Sequence, residues 1–362
     1  MQASTVARAA GTGEPDSAGA RPRSAACAEL MPEEIPAPIT YSMETPGGCG
    51  LMGPDGEGIL AVSAIEYAPQ PSADRWNWLL LDTATGEQRG TFVTGFANYW
   101  QPAIEPRGFT FLEESAEMTP SLFLRTVDDQ GRESARSTLP QGSYDLRAVP
   151  GGGAVLIQFQ QQDSGTLHIS YMRVDERGEV VVPQVLANEA ASFGYPRVGV
   201  TVNGNTLVML LNPLCRGFWL DRGGSRLGET FAVPHCGSRL EYLPVVPLAD
   251  GGLVGWSNQS ALFTNVYRDG EPPGPLPRWL HRPPYTMGPS IVRGGRGYAL
   301  TNYGTSDLEI VTANGRSCGK LHFAQEADEP YYGFVIGRDG TVLQTTSLKT
   351  NCSYRWWPKL LK

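Results

Sequence analysis

The residue types best suited to catalysis are sparse in this sequence and scattered along it. Four histidines stand at 168, 235, 281 and 322, without the H-x-H or H-E-x-x-H spacings that gather metal ligands on one element. No G-x-S-x-G elbow raises a serine nucleophile. Gly151-Gly152-Gly153 and Gly294-Gly295-Arg296-Gly297 read as hairpin turns, because no helix N-terminus follows to cradle a phosphate. No metal and no cofactor are expected. Carboxylates offer one chemistry: Glu113, Glu114 and Glu117, with Asp74 in an equivalent loop, suit glycoside cleavage if two are held at a fixed separation. Exposed loop carboxylates more often form a solvated surface, so this enzyme reading is the alternative.

Aromatic residues form a more regular series. Trp100, Tyr144, Tyr195, Tyr242, Tyr285 and Tyr332 each lead a short apolar run, and Trp256 and Asn302 fall in neighbouring loops. Aromatic faces with polar tips suit stacking on a glycan or a peptide. The competing role is a wedge between packed elements, and that structural role is favoured.

The elements that carry these residues repeat. An apolar strand followed by Asp or Asn and then Gly recurs at Leu81-Asp82 to Gly86, Val127-Asp128 to Gly131, Val174-Asp175 to Gly178, Leu220-Asp221 to Gly223, Tyr267 to Gly270 and Ala313 to Gly315, at glycine intervals of 45, 47, 45, 47 and 45 residues. A second turn accompanies the first in each unit, as at Asp55-Gly56, Asn203-Gly204, Asp250-Gly251 and Asp339-Gly340. Glycine reaches positive φ freely and Asn or Asp tolerates it, so two-residue hairpin turns are expected. Runs such as Ala154-Val155-Leu156-Ile157 and Leu207-Val208-Met209-Leu210-Leu211 are apolar at every position, as strands buried on both faces are.

Each unit of about 46 residues therefore holds four strands. The fold class is all-β, a seven-bladed β-propeller of four-stranded blades, with blades near 45–97, 98–142, 143–192, 193–239, 240–283, 284–328 and 329–362. Radial repetition leaves only short, protected strand edges. The last blade has room for three strands, so a segment around Ile35 to Met43 is expected to add the fourth and close the ring. Residues 1–33 are expected to be a disordered N-terminal segment and 34–362 a single domain. In that frame Asp55, Asp128, Asp175, Asp221, Asp250, Asp269 and Asp339 are turn formers. The aromatic series gathers near one mouth of the central channel.

Six cysteines stand at 27, 49, 215, 236, 318 and 352, none in a C-x-x-C pair, and an even count in a turn-rich β-protein fits disulfides and an oxidising compartment. Cys215 and Cys236 fall in one blade, so a local disulfide between them is expected, with buried free thiols as the alternative. Cys352 is assigned to Cys49 or Cys27 near the closing strand, which leaves Cys318 with the remaining cysteine. The first 26 residues carry no apolar core of a signal peptide, although Ser24-Ala25-Ala26-Cys27 loosely resembles a lipoprotein signal end. The formal charge of −8 argues against nucleic acid, and no apolar run is long enough to span a membrane.

Leu81-Asp82-Thr83-Ala84-Thr85-Gly86-Glu87 resembles the strand-turn of bacterial quinoprotein-like and WD40-like propeller repeats. The resemblance is one of architecture. The Trp-Asp dipeptide of WD40 proteins, the regular tryptophans of quinoproteins and the full sialidase box are missing, so no catalytic residue is carried over. The expected function is a non-catalytic ligand- or protein-binding scaffold. It is expected to be bacterial in style, secreted, periplasmic or cell-surface, and monomeric, with a protein or glycan as ligand. The alternative is a polysaccharide-acting hydrolase or lyase with its carboxylates at the channel mouth.

Overall fold

In a computed structural model the described residues are 24–44, 49–53, 58–66, 75–95, 100–105, 108–115, 121–140, 142–149, 152–162, 166–175, 177–180, 184–190, 196–210, 215–234, 245–257, 262–281, 290–291, 296–301, 306–325, 331–347 and 351–361. They form an all-β protein. Twenty-seven strands, numbered along the chain, make seven antiparallel sheets among these residues.

The first sheet is β2 (Cys49–Met52), β3 (Ile59–Glu66), β4 (Arg75–Asp82) and β5 (Gln88–Gly95). The second runs from β6 (Trp100–Glu105) through β7 (Gly108–Glu114) and β8 (Leu122–Asp128) to β9 (Glu133–Leu139). The third holds β10 (Ser143–Ala148), β11 (Ala154–Gln161), β12 (Thr166–Val174) and β13 (Gln184–Ala190). The fourth holds β14 (Pro196–Val200), β15 (Thr206–Leu210), β16 (Arg216–Leu220) and β17 (Arg226–Ala232). The fifth has β18 (Val245–Pro247), β19 (Leu253–Ser257) and β20 (Leu262–Tyr267). The sixth has β21 (Ser290–Ile291), β22 (Gly297–Thr301), β23 (Asp307–Thr312) and β24 (Ser317–His322). The last combines β25 (Tyr332–Ile336), β26 (Val342–Ser347) and β27 (Asn351–Trp357) with β1 (Ile39–Glu44) from the other end of the chain. In it Tyr41 lies opposite Tyr354 and Met43 opposite Cys352. The N-terminal segment thus supplies the outer strand, slightly later than the expected span.

Side-chain alternation explains why these strands are apolar throughout. In β15, Val208 and Leu210 join a cluster with Val155, Ile157 and Ile169 of the third sheet. Leu207 and Met209 between them face Leu253 and Tyr267 of the fifth. Each strand therefore serves two junctions at once, and each fully buried Leu or Val contributes roughly 1.5–3 kcal/mol. The same division places one apolar cluster at every successive junction: first to second, second to third, third to fourth, fourth to fifth, fifth to sixth and sixth to seventh. A seventh cluster joins Tyr354 and Trp356 of the last sheet to Leu60, Val62 and Leu81 of the first. There the Trp356 indole N–H donates to the Thr83 carbonyl at 2.7 Å and the Tyr354 hydroxyl to Gly50 at 2.9 Å.

The turns differ in one respect from expectation. They are mostly three-residue loops, closed by bonds such as Asp128 N to Arg132 O and Gly131 N to Asp128 O. A two-residue turn would not leave room for the aspartate to act. Asp128 Oδ1 accepts the backbone N–H groups of Gln130 and Arg132, both at 2.9 Å, and Asp221 does the same for Gly223 and Ser225 at 2.8 and 2.9 Å. The loop ends on a glycine at φ between +74° and +84°, at positions 86, 131, 178, 224, 270 and 315. In the fourth sheet that residue is Gly224 rather than Gly223, which makes the intervals 45, 47, 46, 46 and 45.

Several of these glycines also touch the neighbouring sheet. A Cβ on Gly131 would lie 2.4 Å from the Thr91 carbonyl oxygen of β5, and one on Gly178 would lie 2.7 Å from Ala135 of β9. No side chain fits at either contact.

Two features depart from the sequence reading. Residues 24–33, grouped there with a disordered segment, include a short helix, α1 (Ala25–Ala28), with Leu30 and Met31 buried against Leu308, Ile310 and Phe323. Two large apolar side chains anchor the segment, helped by a Cys27–Cys318 disulfide. The fifth sheet, expected to have four strands, has three among the described residues. Where the outer strand would run stands Glu271-Pro272-Pro273-Gly274-Pro275-Leu276-Pro277. Proline has no N–H to give to a ladder. Gly274 makes a single bridge to Val266, with bonds of 2.7 and 3.1 Å, and pairing stops there.

Candidate functional site

The break in the repeat opens a cleft. It occupies about 570 Å³ and is lined by Asp250, Arg268, Pro277, Arg278, Trp279 and Asn314. Each wall comes from a different part of the frame. Asp250 sits in the turn between β18 and β19, where its Oδ1 accepts the Gly252 N–H at 3.2 Å. Arg268 follows β20 and donates to Asp250 Oδ2 at 2.8 Å. Pro277 leads a 3-10 turn over Arg278–Leu280 whose Leu280 is buried at the fifth-to-sixth junction. Asn314 belongs to the turn between β23 and β24, and its Oδ1 accepts the Thr312 hydroxyl.

Trp279 stands where other sheets have their outer strand. Its ring stacks on Tyr298 with centroids 4.9 Å apart and planes at 25°. The Tyr298 hydroxyl accepts the Ala249 N–H at 2.9 Å, and burial, above its other neighbours, raises its ionisation range. A Cβ on Gly315 would fall 2.1 Å from Trp279 Cγ. The indole therefore takes the place that Thr91 or Ala135 takes elsewhere. It is packed by Tyr298 and by Gly315 and is half-buried, so only part of its surface faces the cleft.

Of the aromatic series, Trp100 and Tyr332 are the first residues of β6 and β25, Tyr144 is the second of β10, and Trp256 lies within β19. Tyr195, Tyr242, Tyr285 and Asn302 lie outside the described residues. Tyr144 packs against the cluster of Leu112, Leu124, Leu139 and Leu146. Its hydroxyl donates to the Pro140 carbonyl at 2.7 Å, and burial pushes its phenol far above the usual range. That is a wedge between sheets.

The carboxylates are also engaged. Glu113 is buried, with one oxygen accepting the Gly95 N–H at 3.2 Å and the other 3.4 Å from Arg125. Arg125 in turn pairs with Glu133 at 2.7 Å. Asp74 and Glu117 lie outside the described residues. A different carboxylate has the perturbed environment. Asp145 of β10 is buried, and desolvation raises its range despite Arg147, Arg197 and the Val198 N–H at 3.2 Å. Its alternation with Tyr144 and Leu146 in the sequence gave no sign of this, because the Val198 donor comes from the next sheet. Among the described residues no group of three His, Cys, Asp or Glu side chains is arranged to hold a metal.

Cys49 is bonded to Cys352 and Cys27 to Cys318, over sequence separations of 303 and 291 residues. Cys215 is also disulfide-bonded, and Cys236 lies outside the described residues. No helix among the described residues is long and apolar enough to cross a membrane.

No protein-family model and no curated protein matches the chain. Solved structures do. An acylaminoacyl peptidase from Pyrococcus horikoshii aligns with a TM-score of 0.54 at 10% identity, over 87% of this chain and 52% of that one. The chain thus spans about half the length of the peptidase. The β-propeller domain of Cps50 (Swd1) from Myceliophteria thermophila aligns at 0.49 and 11% identity, covering 84% and 98% of the two chains. The β-propeller domain of the trilobed protease from Pyrococcus furiosus aligns at 0.47 and 14%, covering 83% and 91%. At these identities the likeness concerns the fold alone.

Proposed function

We propose that the seven sheets are the blades of one seven-bladed β-propeller, and that it works as a non-catalytic binding scaffold whose ligand sits in the cleft between the fifth and sixth sheets. Support for the ring comes from the seven apolar clusters, one at each junction including last to first. Support for the exported, oxidising setting comes from the disulfides.

One observation carries the binding reading. The single sheet with three strands among the described residues is where the cleft opens, and its volume falls within the range of ligand pockets. A frame this regular loses little by one irregular edge, provided Trp279 keeps the junction filled. Binding is assigned to the cleft rather than to the aromatic series because Tyr144 is spent on packing. The carboxylate enzyme is disfavoured because both oxygens of Glu113 are occupied.

The test is thermal unfolding against glycans and peptides, comparing the wild type with Arg278→Trp, which fills the cleft from an exposed position. A ligand at a hundredfold excess over its Kd should stabilise the wild type by about 2.7 kcal/mol and the variant much less. Equal stabilisation of both proteins would remove the cleft as the site.

A further inference from the structure

We infer that the cleft takes an acidic, extended peptide segment, recognised through its side-chain carboxylates. This rests on the binding reading above and adds the chemistry of the ligand. Hydrogen-bond donors dominate the lining. Arg278 is exposed, and no salt bridge joins it among the described residues. Arg268 spends one nitrogen on Asp250 and keeps its remaining N–H groups. Asn314 has its oxygen occupied by Thr312, which leaves the amide nitrogen to donate. Asp250 has the opposite balance, since each of its oxygens already accepts a bond and its charge is met by Arg268.

The uncompensated charge of the cleft is therefore that of Arg278, in a chain whose formal net charge is −8. A local positive site on a negative protein selects acidic ligands by contact rather than by long-range steering, and a planar guanidinium fork matches a carboxylate. The remaining walls narrow the class. Trp279 is half-buried, stacked on Tyr298 and held against Gly315, so the ring has less surface left for stacking on a sugar or base than an open platform would. Pro277 is rigid and adds no donor, which lowers the ordering cost on binding. A cleft of about 570 Å³ would be mostly water around a single small anion. An extended segment bearing two or more carboxylates fills it.

The experiment uses a fluorescent Glu/Asp-rich peptide, the same peptide with Gln and Asn in their places, and inorganic phosphate as competitor, on the full chain. The acidic peptide should bind at least tenfold more tightly than its amide counterpart, and weaken by about tenfold in Arg278→Gln. Added salt should also weaken it. Equal binding of the two peptides, no loss in Arg278→Gln, or no binding of the acidic peptide would each overturn the inference. So would phosphate binding that depends on Arg278 without peptide binding, since it identifies a small-anion site. A neutral ligand lost in Arg278→Trp, with the acidic peptide inert, would sink this inference and leave the binding reading standing.

Discussion

The junction between the first and second sheets and that between the fifth and sixth meet the same requirement by different means. In the first, Gly131 lies against the backbone of β5, where a Cβ would meet the Thr91 carbonyl oxygen at 2.4 Å. In the second, Gly315 lies against the Trp279 indole, carried by a proline-rich segment instead of a strand. At these two junctions the turn glycine lies close against a flat neighbour, a peptide plane in one and an aromatic ring in the other. The two differ in what else they allow. A strand seals the edge of its sheet with a hydrogen-bonded ladder, whereas the indole seals only the core and leaves a cleft outside it.

The largest expected effect tests that rigidity. Gly131→Ala should cost about 3 kcal/mol by chemical denaturation, combining the left-handed backbone penalty with a clash against fixed backbone. Trp279→Ala should cost about 2–3 kcal/mol, since it empties a partly buried ring site. Gly315→Ala should cost about 2 kcal/mol, because its clash is with a side chain that can shift. In the Trp279→Ala background that cost should fall to about 1 kcal/mol, a coupling that a double-mutant cycle reads directly. If Gly315→Ala proves as costly as Gly131→Ala and uncoupled from Trp279, the two junctions are not equivalents.

Smaller effects separate the turns. Asp128→Ala removes the acceptor of two backbone N–H groups and should cost about 1–2 kcal/mol. Asp250→Ala removes one such acceptor and an exposed ion pair, for about 0.5–1 kcal/mol. Arg278→Gln should change stability by less than about 0.5 kcal/mol, which keeps it clean as a binding variant.

Titration should run in opposite directions at two aspartates. Burial pushes Asp128 up, but the Arg132 N–H, the Arg132 guanidinium and the Gln130 N–H together hold it below the usual range. Its contribution is present above the unfolded value of about 3.9 and is lost as pH falls through the depressed folded value. Asp145 is raised by burial, so its contribution is present below about 3.9 and is lost as pH rises through the folded value. Relative to the wild type, Asp145→Asn should therefore gain stability as pH rises from acid to neutral, and Asp128→Asn should lose it. Denaturation midpoints across that range give the comparison, and a shared sign would refute it.

The repeat was legible because its signal is local. An aspartate accepting the N–H groups two and four residues ahead, and a glycine at positive φ closing the same loop, act within one turn. Their spacing alone implies units of four strands, and unbroken apolar runs imply burial on both faces. The fifth sheet, three-stranded among the described residues, was legible too and was misread, since four prolines between 272 and 277 already rule out a paired outer strand. Other features belong to the tertiary structure. The partners Cys27 and Cys318 lie 291 residues apart, the Asp145 bond comes from the next sheet, and the cleft is lined from three separate chain segments. Local chemistry decides each turn and strand. Only the packing of whole sheets decides which distant residues meet, because that choice depends on apolar area shared across junctions and not on any spacing along the chain.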